Sequence, residues 1–297
     1  EAINEEIRGL NEKQSSLEEK NHEITDQLSE KDQKLRDTQV LYHQAKYKLD
    51  AISNLTERYD GYGNSIRKVM EQKEENEGII GVVADIIKVE EKYETAIETA
   101  LGGNIQNIVT NDEETAKKMI SFLKKNKFGR ATFLPLTSIT RPQEFKTPEV
   151  LKEKGVIGMA NELVNTKKEY LNVAKAMLGR IVVVDNVDNA VKIARKFDYG
   201  IRMVTIEGEL LVPGGAISGG AFKNSSNLLG RRREMDELEA KVKNYLKEID
   251  AILDNIEKTK GERMQIRRSL EEVKATLQER FIAQNTARLN VIQAEEK

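Results

Sequence analysis

Cysteine and tryptophan are absent from this 297-residue chain, histidine occurs twice, proline four times, and aromatics make up only 5% of it. Without cysteine there is no disulfide, no thiolate zinc site and no thiol nucleophile, and a reducing compartment fits. Charge of one sign is lacking as well: 48 Lys+Arg face 50 Asp+Glu, for a formal net charge of -2. That balance excludes a polycationic nucleic-acid arm and an acidic solvating tail, and leaves room for a local basic patch. No apolar run approaches the roughly 18–20 residues of a membrane span, and no signal-peptide pattern opens the chain. A soluble, cytoplasmic protein is expected. Because Glu1 already lies in a charged helical pattern, the chain reads as an excised fragment.

Charge of both signs is abundant, at 33% of residues. Helix-breaking residues are confined to the middle: Pro135, Pro142, Pro148 and Pro213 all lie there, and outside 61–230 the only glycines are Gly9 and Gly261. Flanks with so little to interrupt a helix predict two long helices around a folded centre. A seam stepping alternately four and three residues supports this. It runs Ile3, Ile7, Leu10, Gln14, Leu17, Asn21, Ile24, Leu28, Lys31, Leu35, Thr38, Tyr42, Ala45, Leu49, Ile52, and eleven of these fifteen positions are apolar. The second flank, from Met235 through Ile252, Leu270 and Leu277 to Ala294, has fourteen apolar positions of eighteen. A 3.5-residue repeat keeps one stripe facing a partner helix along a supercoil. Each arm would reach roughly 80–95 Å at ~1.5 Å per residue. Their similar lengths around one insert favour pairing with each other, antiparallel; pairing of each arm with its equivalent in a second chain is the alternative. The polar seam residues Gln14, Asn21, Lys31, Thr38, Arg263 and Arg280 would weaken the coil while fixing its register. His22 and His43 fall one step past seam positions, on the solvated side.

In the centre the heptads give way to short strands and helices. Gly78 to Val89 is β-branched and bounded by glycine, which predicts a strand; Glu90 to Leu101 predicts a helix stopped by Gly102 and Gly103. A strand over 105–110 follows, then Asp112 capping a helix over 113–126, then a strand over 131–134. A second round comprises a helix over 170–178 stopped by Gly179, a strand at Ile181–Val184, a helix over 188–197 after Asp185 and Asp188, and strands near 201–206 and 209–212. ALGGNIQNIVTNDEETA (100–116) and MLGRIVVVDNVDNA (177–190) share helix, glycine stop, strand, acidic cap and helix at an offset of about 75. This points to two related subdomains, each so small that burying its core needs the other; two ordinary alternating α/β units are the alternative. The expected layout is an N-terminal arm (1–60), a first subdomain (61–140), a linker and second subdomain (141–224), and a C-terminal arm (225–297). The fold class is α+β, with mixed sheets inserted between two long helices that form an intramolecular antiparallel coiled coil.

GIIGVVAD (78–85), ETALGGNIQNIV (98–109), ATFLPL (131–136), VPGGAISGG (212–220) and LLGRRREM (228–235) occur in that order. Together they resemble the hinge of Structural Maintenance of Chromosomes (SMC) proteins, the bacterial condensin-type members above all, with hinge at about 61–224 and adjoining arms. The resemblance implies a two-subdomain fold that forms a head-to-head homodimer. Its interface would involve Gly214, Gly215, Gly219 and Gly220, with Gly102 and Gly103. Glycine lets two backbones approach closely, so a strand edge can pair across an interface; on residue types alone, a tight turn in a monomer is an equal reading. The resemblance further implies a nucleoid-associated role in chromosome condensation and segregation. ATP with Mg, and accessory kleisin-type subunits, would belong to head domains that this fragment lacks.

No catalytic constellation is legible. ISGG followed by Ala221 lacks the Gln or Glu of an ABC-type signature, no Gly-Lys pair exists for a phosphate loop, and neither G-x-S-x-G nor H-E-x-x-H occurs. Gly61-Tyr62-Gly63 is a broken dinucleotide fingerprint, and the missing cysteines exclude a zinc hook. Basic clusters remain: Lys124, Lys125, Lys127 and Arg130; Lys223 with Arg231, Arg232 and Arg233; and Arg141 and Lys146 between them. Such groups bind DNA phosphates without reading sequence, which the resemblance also implies; a solvated face, with lysines favourable to a helix C-terminus, is the plainer reading. Tyr59, Tyr62 and Phe222 would either stack on bases or pack inside. A coiled-coil tether whose central domain binds a protein or small ligand is the rival function.

Overall fold

The computed structural model describes residues 2–221 and 227–295; Phe222 and Lys223 lie outside them. In chain order the elements are α1 (Ala2–Glu57), α2 (Asn64–Met70), β1 (Ile79–Val82), α3 (Val83–Ile86), β2 (Ile87–Val89), α4 (Glu91–Leu101), β3 (Ile108–Thr110), α5 (Glu113–Asn126), β4 (Phe133–Pro135), β5 (Val156–Met159), β6 (Val164–Thr166), α6 (Leu171–Leu178), β7 (Ile181–Val184), α7 (Val187–Lys196), β8 (Arg202–Thr205), β9 (Leu210–Leu211), β10 (Ile217–Ser218) and α8 (Leu228–Glu295). Two compact units result, one of Glu1–Tyr47 with Glu239–Lys297, the other of Lys48–Leu238. No helix of the described residues is long and apolar enough to cross a membrane.

The first unit is a coiled coil made within one chain. Every expected seam position of α1 is buried or half-buried, as are those of α8 as far as Gln284 except Arg280. Ile7 packs with Val273 and Leu277, and Leu28 with Ile252 and Ile256, so the helices run antiparallel. The polar seam residues differ in how they are satisfied. Lys31 Nζ donates to Thr259 Oγ1 at 2.6 Å and to Asn255 Oδ1 at 3.0 Å, whereas Asn21 Oδ1 and Arg263 Nε are buried without a hydrogen-bond partner. Arg280 leaves the seam and pairs with Glu6 at 3.0 Å. The last expected seam positions, Ala287, Val291 and Ala294, are exposed. Gln284 already meets Asn4 near the start of α1, so no described residue of that helix stands opposite them.

The second unit is built twice on one plan. β1-β3-β4 and β5-β7-β8 each begin with an antiparallel pair and end with a parallel one, with a helix crossing between the parallel strands. The antiparallel pairs share an irregularity, at Ile79/Gly81 and at Val156/Gly158. Their first strands start 77 residues apart (79 and 156), and so do the strands that follow, β2 and β6 (87 and 164). β2 and β6 pair with each other, antiparallel, Lys88 opposite Asn165, as elements related by a local two-fold do. One apolar cluster runs through both copies, from Ile97, Ile108 and Val109 of the first to Val173, Leu178 and Val183 of the second. The second copy alone gains two further strands, extending its sheet to β10-β9-β8-β7-β5.

Three local expectations are corrected. Gly78 to Val89 is not one strand, because the Asp85 carboxylate accepts the Val82 N–H at 3.0 Å and closes the turn of α3 between β1 and β2. From Ile79 to Ile87 the run is buried or half-buried throughout, so no alternation betrays the break before the exposed Lys88. Ile105 belongs to a 3-10 turn, and the strand begins at Ile108. The cap of α7 is Asn186, whose Oδ1 accepts the Asn189 N–H at 2.9 Å, rather than an acid. Asp112 does cap α5, accepting the Thr115 N–H at 2.8 Å.

A shared core predicts that a cavity in one copy weakens both. Leu178→Ala, at a fully buried position, should cost about 2–5 kcal/mol. Hydrogen exchange should then report faster opening of β3 amides as well as β7 amides; loss confined to the second copy would contradict a common core.

Candidate functional site

The glycines singled out from the sequence lie at the ends of three elements. Gly102 and Gly103 end α4, Gly214 and Gly215 turn the chain between β9 and β10, and Gly219 and Gly220 follow β10. The last turn of α4 faces the glycines that follow β10 across one cleft and Pro213 across another. Thr99 shares an open cleft of 280 Å³ with Gly219, Gly220 and Ala221, while Ala100 and Asn104 share one of 610 Å³ with Pro213. Gly214 and Gly215 both adopt φ of 96°, a region that side chains disfavour. β10 is the outermost strand: it pairs with β9 through Ile217↔Leu211 and Ser218↔Leu210, and its other edge has no strand partner among the described residues. Ile217 is 54% exposed on it. An added Cβ on Gly103 would meet nothing within 4 Å.

The basic residues fall into two kinds. Lys124, Lys125, Lys127 and Arg130, at the C-terminal end of α5 and in the loop beyond, are exposed, and none pairs with a carboxylate of the described residues. Lys127 ends the helix with φ of 55°, and Ser65 Oγ holds the Arg130 carbonyl at 2.6 Å, so the loop carrying these cations is fastened. Arg141 and Lys146 are exposed, and Lys146 lines the larger cleft with Arg180 and Arg202. By contrast Arg231, Arg232 and Arg233, on the first turns of α8, are turned to acceptors of the same unit. Arg231 donates to the Asp60 carbonyl at 2.7 Å and Arg232 approaches Asp85 at 3.8 Å. Arg233 pairs with Glu94, with Glu237 at 2.7 Å and with Glu91 at 3.6 Å. Glu94 and Glu237, whose carboxylates accept its hydrogen bonds, raise the Arg233 guanidinium pKa further.

Sequence reasoning missed the residues that receive these arginines. Glu94 and Glu98 stand one turn apart on the buried face of α4 beside Ala96, Ile97 and Leu101. Asn227 donates to Glu94 at 3.2 Å while accepting the Gly230 N–H at 2.7 Å, and Glu98 accepts the Leu228 N–H at 3.2 Å. α4 thus holds the first turn of α8. Burial, reinforced by Glu94, pushes the Glu98 carboxyl up to about 7 despite that hydrogen bond. An i,i+4 acid pair on an otherwise apolar helix face was the available signal. Tyr59 and Tyr62 are packing residues here, edge to face at 5.3 Å, and Tyr59 donates to Asp85 at 3.0 Å. Burial, and next the Asp85 carboxylate, raise both phenol pKa values.

A duplicated sheet module inserted between the helices of an antiparallel coiled coil, with a glycine-flanked edge strand, β10, among its several sheet edges, defines a hinge-type insert. Comparison with known proteins agrees. Residues 76–194 match the model of the SMC proteins flexible hinge domain. The SMC hinge domain of Geobacillus stearothermophilus, solved as an asymmetric dimer, superposes with a TM-score of 0.74 at 30% identity, covering 81% of this chain and 98% of that one. The chromosome partition protein Smc of Clostridium kluyveri is 35% identical over 249 residues, and that of Bacillus subtilis 37% over 220, matching 81% and 73% of this chain. The chain spans about a fifth of the length of these two relatives, 21% and 18%. It belongs to the SMC hinge family.

The Glu98 environment makes a signed prediction. A carboxyl whose pKa is raised on folding contributes its full stability below its unfolded value near 4.5 and loses it as pH rises through about 7. Glu98→Gln keeps the oxygen that accepts the Leu228 N–H and removes the buried charge. It should therefore stabilise the hinge at pH 8 by about 1–2 kcal/mol, allowing for solvent screening, and leave it nearly unchanged at pH 4. Melting curves at the two pH values check this.

Proposed function

We propose that this chain is a non-catalytic self-association module, joining the coiled-coil arms of two identical SMC-type proteins at the hinge. The observation that carries this reading is the free edge of β10. An exposed edge with an apolar residue on it is a liability in a monomer, and a second copy covers it. Glycines at the end of α4 and around β10 let another backbone come close. If two such contacts close a ring, each holds the other at high effective concentration, and the pair resists opening. The dimeric state of the Geobacillus hinge supports the same reading.

We extend the proposal to DNA. Lys124, Lys125, Lys127 and Arg130 form an unpaired basic cluster suited to phosphate contact without base readout. Arg231 and Arg233 are hydrogen-bonded within the hinge unit, and Arg232 is drawn toward Asp85 with its Nε buried, which makes the exposed α5 cluster the better candidate. The names of the Clostridium and Bacillus relatives support a role in chromosome partition. ATP with Mg, and kleisin-type subunits, are assigned to parts of such proteins beyond the matched fifth.

Gly103→Glu is the cleanest test of self-association. It has ordinary φ and open space around an added Cβ, so a single folded chain tolerates it and only a docked partner meets it. Light scattering should give about twice the 33.7 kDa chain mass for the wild type and the single mass for the variant, with melting changed by no more than about 0.5 kcal/mol. A wild-type monomer, or a variant that still dimerises, would favour the tether reading. For DNA, the triple change of Lys124, Lys125 and Lys127 to Glu should weaken duplex binding and lower the log–log salt slope by about 0.9 for each phosphate no longer neutralised. Anisotropy titrations at several salt concentrations measure it; unchanged binding overturns the cluster assignment.

A further inference from the structure

Asp198 and Tyr199, two consecutive non-glycine residues, hold left-handed backbone at φ of 52° and 51°. Such conformations are retained only where the surroundings over-determine them, and a glycine, Gly200, stands one position away unused for the purpose. Ending α7 accounts for part of the constraint, since the Tyr199 N–H donates to the Ala194 carbonyl at 2.8 Å. The rest lies across the sheet end. The Tyr199 carbonyl accepts the Gly214 N–H at 2.9 Å, and its ring backs Gly215 so closely that an added Cβ there would stand 3.6 Å from Cδ1. Tyr199 therefore fixes the turn that leads into the free strand β10. Tyr199 nevertheless remains 45% exposed, beside a turn whose next strand carries Ile217 at 54%. An aromatic ring on a fastened backbone loses little conformational freedom when covered, the property that makes Tyr a frequent interface anchor.

We propose that Tyr199 is the aromatic anchor of the surface on which a second copy of this chain docks. Its backbone holds the Pro213–Gly215 turn in shape, and the partner copy covers its ring. The assignment rests on the self-association reading and goes beyond it by naming a side chain that no glycine motif indicates.

The chain has no tryptophan, so Tyr199→Trp places a single tryptophan, excited selectively at its red edge, at the proposed contact. It is compared in the otherwise wild-type chain and in the Gly103→Glu background, with masses measured alongside. In the dimer, Trp emission should be blue-shifted and its quenching by iodide reduced at least about threefold relative to the monomer. Tyr199→Ala should weaken dimerisation at least about 30-fold by sedimentation equilibrium, and Tyr199→Phe should preserve it. Identical emission and quenching in dimer and monomer overturn the assignment while leaving self-association intact, as does a Tyr199→Ala chain that dimerises like wild type. A Tyr199→Ala chain that unfolds cannot mimic support, because the Trp readout is independent of it. A wild-type chain that stays monomeric overturns the self-association reading and this assignment together.

Discussion

Burial of apolar surface across the junction of the two repeats is the constraint on which the hinge depends. Each copy offers only three core strands and a few short helices; the second buries a cluster of its own around Val182, Val184 and Met203, but the larger core is shared by both. The pairing of β2 with β6 joins the copies by backbone hydrogen bonds, and the cluster from Ile97 to Val183 joins them by packing. Because the strands that pair occupy the same place in each repeat, one local two-fold satisfies both at once. The shared irregularities at Ile79/Gly81 and Val156/Gly158 fit a plan used twice.

The two copies diverge where they meet something else. The first supplies α4, whose Glu94 and Glu98 receive Asn227, Arg233 and the first amide of α8. Taking such charges out of water is costly and offsets much of what their pairing gains; the contacts themselves tie the first turn of α8 to α4. The second copy supplies β9 and β10, and so the edge strand that glycines flank. Holding the first turn of α8 and presenting β10 thus fall to different repeats, with the end of α4 sharing a cleft with Gly219 and Gly220.

The coiled coil is held by a different balance. Its seam is apolar enough to pair the helices along their length, yet it includes Lys31 satisfied by Thr259 and Asn255, and Asn21 and Arg263 with buried atoms unsatisfied. Flanking pairs such as Lys34–Glu248 at 3.4 Å are exposed and add little. The polar seam groups cost stability and penalise other registers more, which suits two long helices that would otherwise slide.

Properties that repeat along the chain were legible from sequence alone. The heptads of both arms, the glycine stop of α4, the Asp112 cap and the echo of 100–116 in 177–190 depend on spacing and local chemistry, which a linear string preserves. Tertiary structure decided the rest. Whether Gly78–Val89 was one strand turned on Asp85 reaching back to Val82, in a stretch from Ile79 to Ile87 that is buried or half-buried at every position and therefore without periodicity. Whether Arg231, Arg232 and Arg233 were a free basic patch turned on Asp60, Asp85 and Glu94, all well over a hundred positions earlier in the chain. A charge in a sequence has no partner until folding brings one near, and no strand can be read as an edge until its neighbours are counted.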